Sequence, residues 1–211
     1  MKNIKPSIVL DFDDTLVNSS IQIINMLNQK YKLNKTIADL TDWNYNSIYP
    51  NITSKEVIEM YASPEFFKGV TWGEGARLFL LEFSPLYKFI ICSKGSLKNL
   101  ELKKAFLNKW FTKMQIFDWE FVGIENEEEA DFHLDKSSID FSETLFCVDD
   151  NTNALLSINS PKKFLIKNYK DCYWNKTPIN KEDIYVINNF YDLIKICKFD
   201  EYLRKEGIYL D

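Results

Sequence analysis

Short apolar runs alternate with stretches of helical periodicity along the 211-residue chain. A run of strand length at residues 7–12 (SIVLDF) stops at acids, and residues 19–31 (SSIQIINMLNQKY) set Ile21, Ile24, Leu27 and Tyr31 on one helical face. Residues 41–51 (TDWNYNSIYPN) read as a polar, aromatic-rich loop. Thr53 and Glu56 have the spacing of a capping box, and helical spacing continues from them to residue 61. Pro64, Gly69, Gly73 and Gly75 break the pattern, so residues 63–75 read as irregular. A helix is expected over residues 76–87, a strand entering a loop over 88–96, an amphipathic helix over 97–111 and a strand over 115–124. Residues 125–142 form an acidic, polar connector. Residues 143–158 (ETLFCVDDNTNALLSI) repeat the opening arrangement of apolar strand, acidic tip and helix. Short strands over 162–168 and 183–189 and a helix over 190–205 close the chain, which shows no internal repeat.

Strands separated by helices predict an α/β fold, a doubly wound and mostly parallel sheet with helices on both faces. Ligands of such sheets bind beyond the carboxyl ends of the strands. Three of the expected strands end in polar clusters: Asp11 and Asp13, Ser93, and Asp149 with Asp150. If those strands are neighbours, the clusters share one edge. Carboxylates converging there repel one another unless a cation offsets them, and an all-oxygen ligand set suits Mg²⁺. Alternation about Phe12 puts Asp11 and Asp13 on one side of an extended segment, where one carboxylate can attack while the other handles a proton. The plainer alternative for any one of these acids is a helix N-cap or loop residue. Ser93 has a similar alternative as a helix cap, and Lys136 as a solvated surface residue.

Composition narrows the function classes. A 45% hydrophobic chain of this length can build one sizeable core and a small second lobe. The net charge of −5 and pI near 5.1 argue against a long nucleic acid as partner. No apolar run is long enough to span a membrane, and the first residues lack a secretory pattern, so a cytoplasmic protein is expected. The sequons at Asn18 and Asn51 then read as chance. Cys92, Cys147, Cys172 and Cys197 are widely spaced, as buried thiols in a reducing compartment would be. The single histidine, His133, reads as structural and leaves little for a His-rich metal site or a Ser-His-Asp mechanism.

The segment DFDDTLV resembles the first motif, Asp-x-Asp-x-Thr, of the haloacid dehalogenase (HAD) superfamily of phosphohydrolases. Ser93 after FIIC resembles the second motif, Lys136 in HLDKSSID the third, and FCVDDN the fourth. The resemblance implies a Rossmann-like core and gives each residue a role. Asp11 is the nucleophile and a metal ligand. Asp13 is the general acid and then the base, and its main-chain carbonyl also binds the metal. Ser93 donates to the phosphoryl oxygens, and Lys136 neutralises charge, with Lys94 a competitor for that role. Asp149 and Asp150 complete the Mg²⁺ site; Asp150 is the direct ligand in one alignment, while in the other Asp149 takes that place and Asn153 joins it. Thr15 fixes the turn after the nucleophile. The second acid, Asp13, favours phosphate chemistry over carbon–halogen cleavage.

In family terms residues 17–73 are a helical cap inserted after the first strand, with residues 1–16 and 74–211 as the catalytic core. This segment carries Trp43, Tyr45, Tyr49, Tyr61, Phe66, Phe67 and Trp72, which can stack on a flat base or form the cap's own core. Residues 63–83 and the following strand also resemble the 5′(3′)-deoxyribonucleotidases, with Phe66 and Phe67 on that family's paired aromatic. A nucleoside monophosphate is therefore the first substrate expected, bound by Thr15, Trp43, Phe66, Phe67, Ser93 and Lys94. Sugar phosphates, other metabolite phosphates and polynucleotide ends are alternatives. A catalytically silent HAD-fold binding domain is a further one, with no need of so complete a set of acids.

Overall fold

The computed structural model describes residues 5–41, 45–125, 136–167, 169, 173–175 and 184–205. Its centre is a six-stranded sheet: β1 (Ser7–Leu10), β2 (Lys88–Gly95), β3 (Trp119–Glu125), β4 (Cys147–Asp149), β5 (Lys163–Ile166) and β6 (Ile184–Ile187). The order is β3-β2-β1-β4-β5-β6 and every pairing is parallel. The doubly wound sheet expected from the alternation is present.

Both faces of the sheet are covered, which the near-continuous apolar strands require. Ile8, Leu10, Phe89, Ile91, Val148, Phe164 and Ile166 point to one face. They pack there on α1 (Ser19–Tyr31), α4 (Ala76–Phe83), α5 (Leu97–Met114) and α7 (Phe190–Lys205). Val9, Ile90, Cys92, Cys147 and Leu165 point the other way, onto Phe141 and the Leu155 face of α6 (Thr152–Ser157). The period of two along each strand sorts these residues between the two layers.

Two helices follow their caps closely. In α2 (Ser54–Tyr61) the Thr53 hydroxyl accepts from the Glu56 N–H at 3.2 Å, the first half of the expected capping box. Residues 63–75, read as irregular, contain a further helix, α3 (Pro64–Gly69). Ser63 caps it by accepting from the Phe66 N–H at 3.2 Å, and Pro64 occupies a first-turn position where a missing N–H costs nothing. Helix α4 stops at Phe83, four residues short of the expected end, because Ser84 and Pro85 end the run. Gln115 takes the left-handed conformation that caps α5 (φ 57°), so β3 starts at Trp119.

The thiols of Cys92, Cys147 and Cys197 are buried and unlinked. Burial pushes Cys92 up to about 11 and Cys197 up to about 12, so both are held as inert thiols. Cys172, His133 and Trp43 lie outside the described residues. Among the described residues no helix is long and apolar enough to cross a membrane.

Gly75 precedes α4 at φ +77°, and a Cβ there would meet the Tyr191 backbone nitrogen of α7 at 2.9 Å. Replacing Gly75 with Ala should destabilise the fold by about 1–3 kcal/mol, through left-handed strain and that contact. A urea titration of the two proteins measures the difference; equal midpoints would show that α7 gives way freely.

Candidate active site

The strand order places the site. Strand β1 lies between β2 and β4, and the chain leaves β1 and β4 toward opposite sides of the sheet, the arrangement that opens a crevice at the strand ends. Asp11 follows the last residue of β1, Ser93 lies near the end of β2 and Asp149 ends β4. The Asp11 N–H donates to the Val148 carbonyl at 2.9 Å, so these two tips are joined directly. Carboxylate oxygens of Asp11, Asp149 and Asp150, all three buried, lie within 4.8 Å of one another.

Lys136 is 2% exposed, not a solvated surface lysine. Its Nζ donates to Asp11 Oδ1 and Asp149 Oδ2, both at 2.6 Å, and to the Cys92 carbonyl at 3.3 Å. Burial opposes its charge, but the two carboxylates prevail and raise its pKa well above the ordinary lysine value. The same desolvation raises Asp11 to about 7 against the pull of Lys136, with Asp149 and Asp13 adding to the rise. Asp150 is also raised well above the usual carboxylate range, first by burial and then by Asp14, Asp149 and Asp11. Its Oδ2 accepts from the Trp174 indole N–H at 2.8 Å, a neutral donor. Three carboxyl groups thus face a single lysine, and burial and mutual repulsion oppose the ionisation of Asp11 and Asp150 until a further cation joins them.

Asp13 sits on the rim, with 29% of its side chain exposed. Its Oδ1 meets the Ser19 hydroxyl at 2.7 Å, and its Oδ2 pairs with Lys103 of α5. Lys103 is 1% exposed, and its Nζ also donates to Ser93 Oγ at 2.9 Å and to the Lys94 carbonyl at 3.0 Å. Sequence reading passed over Lys103, although a signal was present: it falls in the apolar stripe of α5 formed by Leu100, Leu107 and Phe111. A lone cation on that stripe calls for a buried partner. Lys94 is only partly buried, and the place between Asp11 and Asp149 belongs to Lys136. Ser96, not Ser93, caps α5.

The loop after the acids is held by Asp14, which sequence reading left without a role. Asp14 has φ +50°, and its carboxylate accepts from the Ser20 N–H at 2.8 Å, from the Ser20 hydroxyl and from the Tyr169 hydroxyl at 2.9 Å. Burial raises Asp14 to about 6 against these hydrogen bonds. The Thr15 hydroxyl, expected to fix this turn, is buried and makes no hydrogen bond among the described residues. Its backbone serves instead: Gly73 packs so closely on the Thr15 carbonyl that a Cβ would come within 2.8 Å. Asn153 lies on the exposed side of α6, and Asn151 caps that helix.

The aromatic residues divide. Tyr45, Tyr49 and Phe66 are buried in the core. Phe66 is 0% exposed and packs edge-on against Phe67, with ring centres 4.9 Å apart, which leaves no face for a ligand. Phe67 is partly exposed and its ring lies 6.4 Å from that of Phe12, the residue between Asp11 and Asp13. Of the pair, only Phe67 keeps exposed surface, and its ring packs on the buried Phe12 and Phe106.

The donor set fits a hard divalent cation. All of its ligand atoms are oxygens. Asp11 and Asp149 share Lys136, and among the described residues no lysine or arginine pairs with Asp150.

No protein-family model and no curated protein matches the chain. Solved structures do match. A haloacid dehalogenase-like family hydrolase from Streptococcus pneumoniae is 16% identical, with a TM-score of 0.56 over 92% of this chain and 98% of its own. A predicted phosphoglycolate phosphatase from Haemophilus somnus is 14% identical, with a TM-score of 0.52 over 92% and 98%. A protein from Bacillus subtilis, named as a HAD-hydrolase and bound to magnesium, is 13% identical, with a TM-score of 0.52 over 91% and 98%. The chain has the HAD fold.

Replacing Lys136 with Met leaves the Asp11 and Asp149 carboxylates facing each other without their shared cation. The metal-free variant should lose about 3–5 kcal/mol at neutral pH, measured by chemical denaturation. A loss under about 1 kcal/mol would show that the two acids carry little charge in the metal-free protein.

Proposed function

We propose that this protein is a magnesium-dependent phosphohydrolase that cleaves small phosphate monoesters through an aspartyl-phosphate on Asp11. One observation carries the reading: a single crevice gathers two acids flanking Phe12, a serine, two buried lysines and a second acidic pair. Magnesium is read as held by Asp11, Asp150 and the Asp13 carbonyl. Asp150 is preferred to Asp149 as the direct ligand because both Asp149 oxygens are engaged, one by Lys136 and one by the Asn151 N–H at 2.9 Å. Bound there, the ion supplies positive charge that offsets repulsion between Asp11 and the phosphoryl group.

The side chains do the rest. Asp11 attacks phosphorus and the bond to the ester oxygen breaks, while Asp13 gives its proton to the departing oxygen. Asp13 then takes a proton from the water that attacks the phosphoryl group, releasing inorganic phosphate and restoring the Asp11 carboxylate. Ser93, Lys103 and Lys136 hold the phosphoryl oxygens and their charge through both steps. Residues 17–73 are read as the cap, which covers the crevice and limits water.

For the substrate, a nucleoside monophosphate stacked on Phe67 is the first reading, supported by the resemblance to the deoxyribonucleotidases and by the partial exposure of Phe67. The burial of Phe66 favours a second, a compact sugar or other metabolite phosphate that needs no paired stacking surface.

Wild-type protein should hydrolyse p-nitrophenyl phosphate with Mg²⁺ and lose that activity in EDTA. Asp11→Asn should lower turnover about 10³-fold or more with its circular dichroism unchanged. An active Asp11→Asn protein would remove the nucleophile assignment. A panel of nucleoside monophosphates, sugar phosphates and phosphoglycolate ranked by kcat/KM decides between the substrate readings. Preference for a sugar phosphate or phosphoglycolate would set the nucleotidase reading aside.

A further inference from the structure

Asp150 is gripped at both ends by one short turn, Tyr173–Asn175, that follows β5. The Trp174 indole N–H donates to Asp150 Oδ2 at 2.8 Å, and the Asn175 side-chain amide donates to the Asp150 carbonyl at 2.6 Å and to the Ile166 carbonyl at 2.8 Å. Trp174 and Asn175 are buried, so water does not compete for these bonds. The choice of donor has a consequence. A lysine or arginine here would set a positive charge against an incoming cation, whereas an indole N–H orients the carboxyl group and adds no charge of its own. The indole has one hydrogen and accepts nothing. It therefore occupies Oδ2 and leaves Oδ1 as the oxygen to face a metal.

We infer that Trp174 is a positioning residue for the metal site: its indole N–H fixes the Asp150 carboxylate in the orientation that binds the divalent cation. This rests on the reading of Asp150 as a metal ligand. Hydrogen-bond partners of ligating carboxylates are typically worth 10- to 100-fold in metal affinity.

The test is calorimetric titration of the whole protein with Mg²⁺ alone, wild type against Trp174→Phe, which keeps a ring and removes the donor. The expected result is a 10- to 100-fold weaker Kd for the variant. The Mg²⁺ concentration for half-maximal p-nitrophenyl phosphate hydrolysis should rise by the same factor, while kcat at saturating Mg²⁺ and KM for the ester stay within about threefold. Equal Mg²⁺ affinity in the two proteins overturns the inference, as does a loss of kcat that saturating Mg²⁺ does not restore. If Trp174→Phe does not fold, the wild type decides: at least one of the five tryptophan indole cross-peaks in a ¹⁵N–¹H spectrum must shift on Mg²⁺ addition, and five unmoved peaks overturn the inference. Mg²⁺ binding that depends on Trp174 in a protein without phosphatase activity sinks the phosphohydrolase reading and keeps this one. Activity with a Trp174-independent Mg²⁺ requirement does the reverse, and a wild type that binds no Mg²⁺ removes both.

Discussion

The mutual repulsion of carboxylates forced out of water at the ends of β1 and β4 is the constraint around which this molecule is built. A sheet of apolar strands delivers Asp11 and Asp149 to adjacent tips, and the next residue, Asp150, adds a third acid. Nothing in the packing of the strands rewards that placement. It is tolerated because Lys136 reaches across two of the tips and Lys103 meets Asp13 on the rim. Each lysine arrives from a different part of the chain: Lys103 from the helix after β2, Lys136 from the segment before β4. Acids that a strand end has no use for become, once gathered, a group whose oxygens could hold one more cation.

Asp14 shows how the surrounding loop answers the same constraint without a cation. It takes a left-handed conformation that an acidic side chain tolerates when it can bond locally. Ser20 from one side and Tyr169 from the other supply the hydrogen bonds. The Ser20 hydroxyl in turn accepts from Tyr45 at 3.1 Å, and Tyr45 meets Tyr61 at 3.0 Å. A buried polar chain therefore runs from the acid loop into the helices of residues 17–73, and those helices share one apolar cluster with the sheet. Neutral donors do here what the lysines do at the strand tips.

The parts legible in the sequence were those set by short-range pattern. Apolar runs ending in Asp11, Ser93 and Asp149 mark three strand tips, and the rules of parallel sheets put neighbouring tips on one edge. What escaped notice depends on distance along the chain or on competition between local signals. Trp174 reaches Asp150 across 24 residues and Tyr169 reaches Asp14 across 155, and nothing local announces either contact. Helix α3 hides behind Pro64, which alone reads as a breaker but with Ser63 just before it marks a helix start. Lys103 was passed over as one cation among several on α5. The aromatic residues of 17–73 are recognisable as a group in the sequence, but how deeply each is buried is a matter of tertiary packing: Phe66 is fully buried and its neighbour Phe67 only partly.

The central place of β1 also bears on how the chain is made. Val9 pairs with Ile90 on one side and with Cys147 on the other, so β1, which comes before the other five strands of this sheet in chain order, is flanked by partners that emerge much later. Until then its backbone offers two unpaired ribbons of donors and acceptors on an apolar segment, the kind of edge on which strands of other molecules add. Asp11 and Asp149, at the ends of β1 and β4, come together only once that long-range pairing has formed. A polypeptide released before Cys147 would keep Asp11 and lose the neighbour that closes the sheet beside it.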